Sequence, residues 1–213
     1  MTNPNKTSVT IILDRSGSMN DCRSDTIGGY NTFIEGQKQN PGECEISLIQ
    51  FNDRSEFVYK SKPVNEAPNL DHTTFVPHGG TALLDAIGKA IIEKGKELEA
   101  LSEDERPSKV IMVIITDGDE NTSKEFTKEK IAALIKQQTD VYSWVFTFLA
   151  ANQDAIATAK TYSIAADNSL NFSSTKSGGA ARAFAAASSY VGRTRCGSAS
   201  KGYTVDERES NSW

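Results

Sequence analysis

Val9-Thr10-Ile11-Ile12-Leu13-Asp14-Arg15-Ser16-Gly17-Ser18-Met19 decides how the rest of the chain is read. Its first half is apolar and rich in β-branched residues, the composition of a buried strand, and it breaks off into a polar, Gly-containing turn. Asp14, Ser16 and Ser18 stand at alternate positions just beyond that break, where side chains leave the core at the carboxyl end of the strand. A second run of the same kind, Lys109-Val-Ile-Met-Val-Ile-Ile115, reads as a central strand covered on both faces. It stops at Thr116-Asp117-Gly118-Asp119.

Between and around these strands the pattern alternates. Asp25 to Gln39 carries Ile27, Tyr30, Phe33 and Ile34 at helical spacing and ends at Asn40-Pro41-Gly42. Glu45–Phe51 and Ser55–Tyr59 read as a strand pair joined by a tight turn at a sheet edge, and 61–80 as a long surface loop. Thr81 is the expected N-cap of a helix whose apolar face is Leu83, Leu84, Ile87, Ala90, Ile91 and Leu98. A helix over Phe126–Gln138, a strand over Val141–Ala150, a short helix over Asn152–Lys160, a short strand over Ser169–Phe172 and an Ala-rich helix over Ala180–Val191 complete the series. Strands alternating with helices specify an α/β fold: a doubly wound, mostly parallel sheet flanked by helices, with one antiparallel edge strand. Residues 1–6 read as an N-terminal arm, 7–192 as the domain, and Arg193–Trp213, polar and without apolar periodicity, as a mobile or partner-dependent tail.

The formal net charge of -5 and pI of about 5.2, with scattered Lys and Arg, argue against a nucleic-acid partner. No stretch has the roughly 18 consecutive apolar residues of a membrane span, and the polar start lacks a signal peptide's apolar core, so a cytoplasmic location is expected. Cys22, Cys44 and Cys196 have no metal-type spacing and fit reduced thiols.

In a doubly wound sheet, ligands bind beyond the carboxyl ends of the strands, where strand order reverses. If the strands ending at Asp14 and Asp117 are central neighbours, both carboxylates face one crevice, and Thr81 lies at the same end of the sheet. Asp14, Ser16, Ser18, Thr81 and Asp117 then offer five hard oxygen groups around one point. That set suits a hard divalent cation, Mg²⁺ or Mn²⁺, with Ca²⁺ also compatible. A shell filled largely by hydroxyls and water leaves the ion electrophilic, and an Asp or Glu from a partner protein is the matching ligand.

Asp14-Arg15-Ser16-Gly17-Ser18, Gly79-Gly80-Thr81 and Thr116-Asp117-Gly118 resemble, in order and spacing, the three loops of the metal-ion-dependent adhesion site (MIDAS) of von Willebrand factor A domains. The flanking Asp25-Thr-Ile-Gly-Gly-Tyr-Asn31 and Gly80-Thr-Ala-Leu-Leu-Asp-Ala86 are similar to small stand-alone bacterial and phage members. The resemblance spans about Thr7 to Val191. It implies that Ser16 and Ser18 ligate the metal directly, Asp14 and Asp117 directly or through water, and Thr81 in a state-dependent way. It further implies that the last helix shifts when an acidic partner residue completes the shell.

Other readings fit less well. Asp14, Ser16 and Ser18 alone could brace a helix-entry turn. An EF-hand loop needs Gly where Met19 stands and a helix before it; an Asp-x-Asp phosphatase needs a carboxylate at Ser16; a nucleotide loop needs G-x-G-x-x-G or a phosphate-binding Lys. Asp119, Glu120 and Asn121 read as a solvated turn capping the next helix, or as a second cation site. The expected function is a non-catalytic, Mg²⁺-dependent protein-binding module. Its alternatives are a metal-dependent hydrolase with His78 as base and an assembly protein whose metal only stiffens the loops. Oligomeric state is open.

Overall fold

The computed structural model describes residues 2–151, 154–197 and 202–211. Its centre is a six-stranded sheet in the order β3-β2-β1-β4-β5-β6, made of β1 (Asn3–Asp14), β2 (Glu43–Phe51), β3 (Ser55–Pro63), β4 (Pro107–Thr116), β5 (Val145–Ala151) and β6 (Ser169–Phe172). All neighbours are parallel except the β2–β3 hairpin at the edge. From β1 the chain winds outward through β2 and β3, then returns across β1 to β4 and winds the other way. The reversal therefore falls between β1 and β4, paired from Thr7↔Lys109 to Leu13↔Ile115.

Alternation along β1 supplies two cores. Val9, Ile11 and Leu13 pack with Tyr30, Phe33 and Ile34 of α1 (Arg23–Lys38) and with Ala183, Phe184 and Ala187 of α5 (Gly179–Arg195). Ile12, with Met112 and Ile114 of β4, packs against Leu84, Ile87 and Ile91 of α2 (Leu83–Ala100), Ile131 and Ile135 of α3 (Lys128–Tyr142), and Ala155 and Ala159 of α4 (Ala155–Thr161). Both faces of the central strands are thus covered, and the carboxylates Asp14 and Asp117 come at their carboxyl ends. Among the described residues, no helix is long and apolar enough to cross a membrane.

Five expectations need correction. Residues 3–6 are part of β1: the Asn3 amide donates to the Arg106 carbonyl at 2.8 Å, and Lys6 pairs with Glu45 at 3.0 Å. Backbone pairing at a sheet margin tolerates polar side chains, so the lack of apolar pattern hid the strand. Within 61–80, Leu70 and Phe75 are buried in the α1-side core, so the loop is partly interior. Val141 and Tyr142 belong to the exposed end of α3, which stops at Ser143 in the left-handed region (φ 57) before β5 begins. Leu83 opens α2 with Ala82 as its cap, so Thr81 is not the N-cap.

The tail is the fifth. Helix α5 runs to Arg195, whose buried guanidinium donates to the Gln37 carbonyl at 2.7 Å and the Gly42 carbonyl at 3.3 Å. Beyond it, Tyr203 is buried and α6 (Val205–Asn211) lies against β6. Arg193 forks onto Glu207 at 2.7 and 2.9 Å, and Arg208 donates to the carbonyls of Ala166, Asp167 and Ser169. These anchors are single long-range contacts with no periodic signature. The portions of the expected tail at 198–201 and 212–213, and the expected helix start at 152–153, lie outside the described residues.

Candidate metal centre

Asp14 ends β1 and Asp117 follows the last residue of β4, so the strand reversal places both at one crevice. The five side chains named from the sequence meet there. The Ser16 hydroxyl lies 3.1 Å from that of Ser18, and the Ser18 hydroxyl donates to Asp117 Oδ1 at 2.6 Å. The Thr81 and Ser18 hydroxyl oxygens each lie 3.4 Å from where a Cβ on Gly118 would stand, which puts Thr81 against the same cluster. Asp14 is fully buried; its Oδ1 accepts the Ser16 amide at 2.7 Å and its Oδ2 the Thr116 hydroxyl at 2.6 Å.

The electrostatics of this cluster are unfavourable by themselves. Burial raises the Asp14 carboxyl to about 6 despite the hydrogen bonds from Thr116 and Ser16, and the charge of Asp117 pushes the same way. Asp117 is also raised, first by burial, against the Ser18 hydrogen bond. Among the described residues, neither carboxylate has a Lys or Arg partner in an ion pair. Two buried carboxylates with no cation beside them are costly at neutral pH unless a counter-charge is supplied from outside. The donors are all oxygen, and three of them are hydroxyls, so the chemistry that fits is a hard divalent ion.

The second loop is fastened to both others. The Gly17 amide donates to the Gly79 carbonyl at 3.0 Å and the His78 amide to the Arg15 carbonyl at 2.9 Å. Asn52, at the end of β2, donates to the His78 carbonyl at 3.0 Å and accepts the Ala82 amide on its own carbonyl at 2.8 Å. Gly79 has φ +78, and a Cβ there would sit 2.2 Å from Asp53 Oδ2. Gly79→Ala is therefore expected to cost about 1–3 kcal/mol from the backbone conformation and to weaken cation binding as well. Thermal melts with and without Mg²⁺ check it: a variant matching the wild type in both would contradict the account.

Loop three explains why Thr81 is not a cap. The Leu84 amide donates to Glu120 Oε2 at 3.0 Å and the Asp85 amide to the Ser123 hydroxyl at 3.1 Å, so the start of α2 is capped from another segment. The Thr81 hydroxyl oxygen lies instead beside Gly118 and Ser18, at the crevice. Glu120 and Asn121, read from the sequence as a turn capping the next helix or as a cation site, instead brace loop two: Asn121 Oδ1 accepts the Thr81 amide at 2.9 Å. The cap of α3 is Thr127, which accepts the Lys130 amide.

Sequence reasoning missed Asn52, Thr116, and the bracing roles of Glu120 and Asn121; Asn52 and Thr116 each end or follow an apolar strand at the same edge, a signal that was there to use. His78 is exposed, with its Nδ1 2.9 Å from the Val76 carbonyl. The Cys22 thiol is buried, pushed up to about 12 by that burial, and directed at the Met19 carbonyl. Trp144, as expected, is core, stacked on Phe146.

No protein-family model and no curated protein matches the sequence. Solved structures match its fold. Proximal thread matrix protein 1 from the mussel byssus superposes with a TM-score of 0.62 at 13% identity, over 92% of this chain and 48% of its own. That protein has also been solved with a zinc-occupied MIDAS motif. The von Willebrand factor type A protein from Catenulispora acidiphila gives 0.60 at 13% identity, over 90% and 43% of the two chains. The manganese-loaded TRAP protein of Plasmodium vivax gives 0.56 at 10% identity, over 85% and 74%. The chain spans less than half the length of the mussel and Catenulispora proteins.

Proposed function

We propose that this chain, which has the fold of von Willebrand factor A domains, is a non-catalytic, divalent-metal-dependent protein-interaction module. Asp14, Ser16, Ser18, Thr81 and Asp117 would hold the ion, Mg²⁺ by preference, with Mn²⁺ or Ca²⁺ as substitutes. When bound, the ion supplies an electrophilic position that a partner's Asp or Glu carboxylate can occupy. The observation that carries this reading is the crevice itself: Asp14 and Asp117 are both buried with no Lys or Arg ion-pair partner among the described residues, and the Ser16, Ser18 and Thr81 hydroxyls cluster beside them.

The residues divide the work. Asp14 and Asp117 supply the charge that attracts the ion, and the Thr116 hydroxyl and Ser16 amide fix the orientation of Asp14. Ser16, Ser18 and Thr81 donate oxygens without adding negative charge, which leaves the site receptive to an anion. The exposed position of Ser18 places it on the side open to a partner. His78, the base the hydrolase alternative would use, is exposed and has its Nδ1 2.9 Å from the Val76 carbonyl, a contact that does not tie its ring to the cluster.

Affinity capture of partner proteins from a native extract, run in parallel with Mg²⁺ and with EDTA, tests the proposal. Capture should depend on Mg²⁺ and be lost in Asp117→Ala, with a fall in affinity on the order of a thousandfold for a lost bridging contact of about 4 kcal/mol. Partner binding that persists in EDTA and in Asp117→Ala would sink it, and would favour an assembly role carried by another surface.

A further inference from the structure

The segment that follows β4 and the start of α2 hold each other by a reciprocal set of hydrogen bonds. Glu120 Oε1 accepts the Thr122 and Ser123 amides at 3.0 and 2.7 Å, and its Oε2 accepts the Leu84 amide and the Ser123 hydroxyl at 3.0 and 2.7 Å. In return Asp85, on α2, accepts the Lys124, Glu125 and Phe126 amides at 2.8 to 2.9 Å. At the centre of this clasp Asn121 grips Thr81 on both sides: its side chain accepts the Thr81 amide at 2.9 Å and its amide donates to the Thr81 carbonyl at 3.1 Å. Gly80 makes the approach possible, because a Cβ there would stand 2.6 Å from Thr122 Cγ2 and 3.0 Å from Asn121 Oδ1.

None of these bonds is needed to build the sheet. They unite the second and third loops, and they fix the backbone of the one candidate ligand, Thr81, that belongs to neither strand end. We infer that Asn121, supported by Glu120 and Asp85, is a positioning residue that sets Thr81 Oγ1 relative to Ser18 and Asp117 and thereby sets the choice of cation. The inference rests on reading the five-residue cluster as a cation site. Mg²⁺ demands near-ideal octahedral geometry at short distances, whereas Ca²⁺ accepts a looser, more variable shell. A rigid Thr81 favours the smaller ion; a loosened one gives up that advantage first. Removal of groups that orient a ligand commonly costs 10–100-fold in metal affinity.

The test is calorimetric titration of the full chain with Mg²⁺ and, separately, Ca²⁺, for the wild type, Asn121→Ala and Asn121→Asp. Asn121 is exposed, so neither variant opens a core. Asn121→Ala should lose about tenfold or more in Mg²⁺ affinity and clearly less in Ca²⁺ affinity. Asn121→Asp keeps an oxygen for the Thr81 amide and should recover the wild-type preference for Mg²⁺. Equal Mg²⁺ affinity in Asn121→Ala and wild type, or an equal loss for both ions, overturns the positioning role. Failure of the wild type to bind either ion overturns the cation-site reading itself, a different result from the other two.

Discussion

Asp14→Asn should abolish cation binding and, in the same experiment, make the metal-free protein more stable at neutral pH. The two effects have one origin. Asp14 is wholly buried and its pKa is raised from 3.8 to about 6, so between about pH 4 and pH 6 the folded, metal-free state keeps a proton there that the unfolded chain has already released. Its contribution to stability is present at low pH and is lost as pH rises from about 4 through about 6. At 1.36 kcal/mol per unit, the shift corresponds to roughly 3 kcal/mol of destabilisation at pH 7. The raised Asp117 acts in the same direction.

Asparagine removes the charge while the local bonds can reorganise. Its oxygen still accepts the Ser16 amide, and its NH₂ can donate to the Thr116 hydroxyl, which is free to turn its own proton to the Gly118 carbonyl 3.1 Å away. Scanning calorimetry in EDTA between pH 4.5 and 8 should show the wild type losing stability up to about pH 6 while the variant stays flatter and ends higher. Titration with Mg²⁺ should show the reverse order, with the wild type binding, more weakly below pH 6 where Asp14 must first lose its proton, and the variant not binding. A variant that binds Mg²⁺ normally, or that is less stable than wild type at pH 7 without metal, would contradict the account. A site that costs stability when empty is what separates a ligand shell from a structural cap.

The parts of this fold that were legible in the sequence are those where a short-range pattern and a long-range outcome agree. The apolar runs ending at Asp14 and Asp117 had to be central strands, because nothing else buries continuous β-branched sequence on two faces, and the reversal between β1 and β4 follows from their parallel pairing. That logic also brings Ser16, Ser18 and Thr81 to one crevice. Thr81 was misread in a different respect. Its residue type and position before a helix satisfy every local rule for an N-cap, but Glu120 and Ser123 cap α2 from about 36 residues away in sequence. Caps supplied from a distant segment leave no mark at the helix they serve. The bracing by Asn121 was hidden for the same reason, since it acts through the backbone of another loop.

Tyr203→Ala should cost about 3–5 kcal/mol, although it lies in a segment whose composition reads as an unstructured tail. The phenol is buried, tilted onto Tyr190 at 5.2 Å between ring centroids, and its hydroxyl lies 2.7 Å from Thr147 Oγ1 inside β5. Truncation to Ala leaves a cavity between α5 and the sheet, whereas Tyr203→Phe keeps the ring and should lose only about 1 kcal/mol. The Arg193–Glu207 fork is partly solvated, so Glu207→Gln should cost less than Tyr203→Ala, about 1 kcal/mol or below. Urea unfolding of the three variants at saturating Mg²⁺ separates these effects from the proposed cation site. A mobile tail requires all three to match the wild type; a docked one requires the order Ala, then Phe and Gln. The decisive interaction is a single aromatic ring reaching a strand 56 positions earlier. One such ring between polar neighbours generates no period, which is why burial here had to be found in three dimensions.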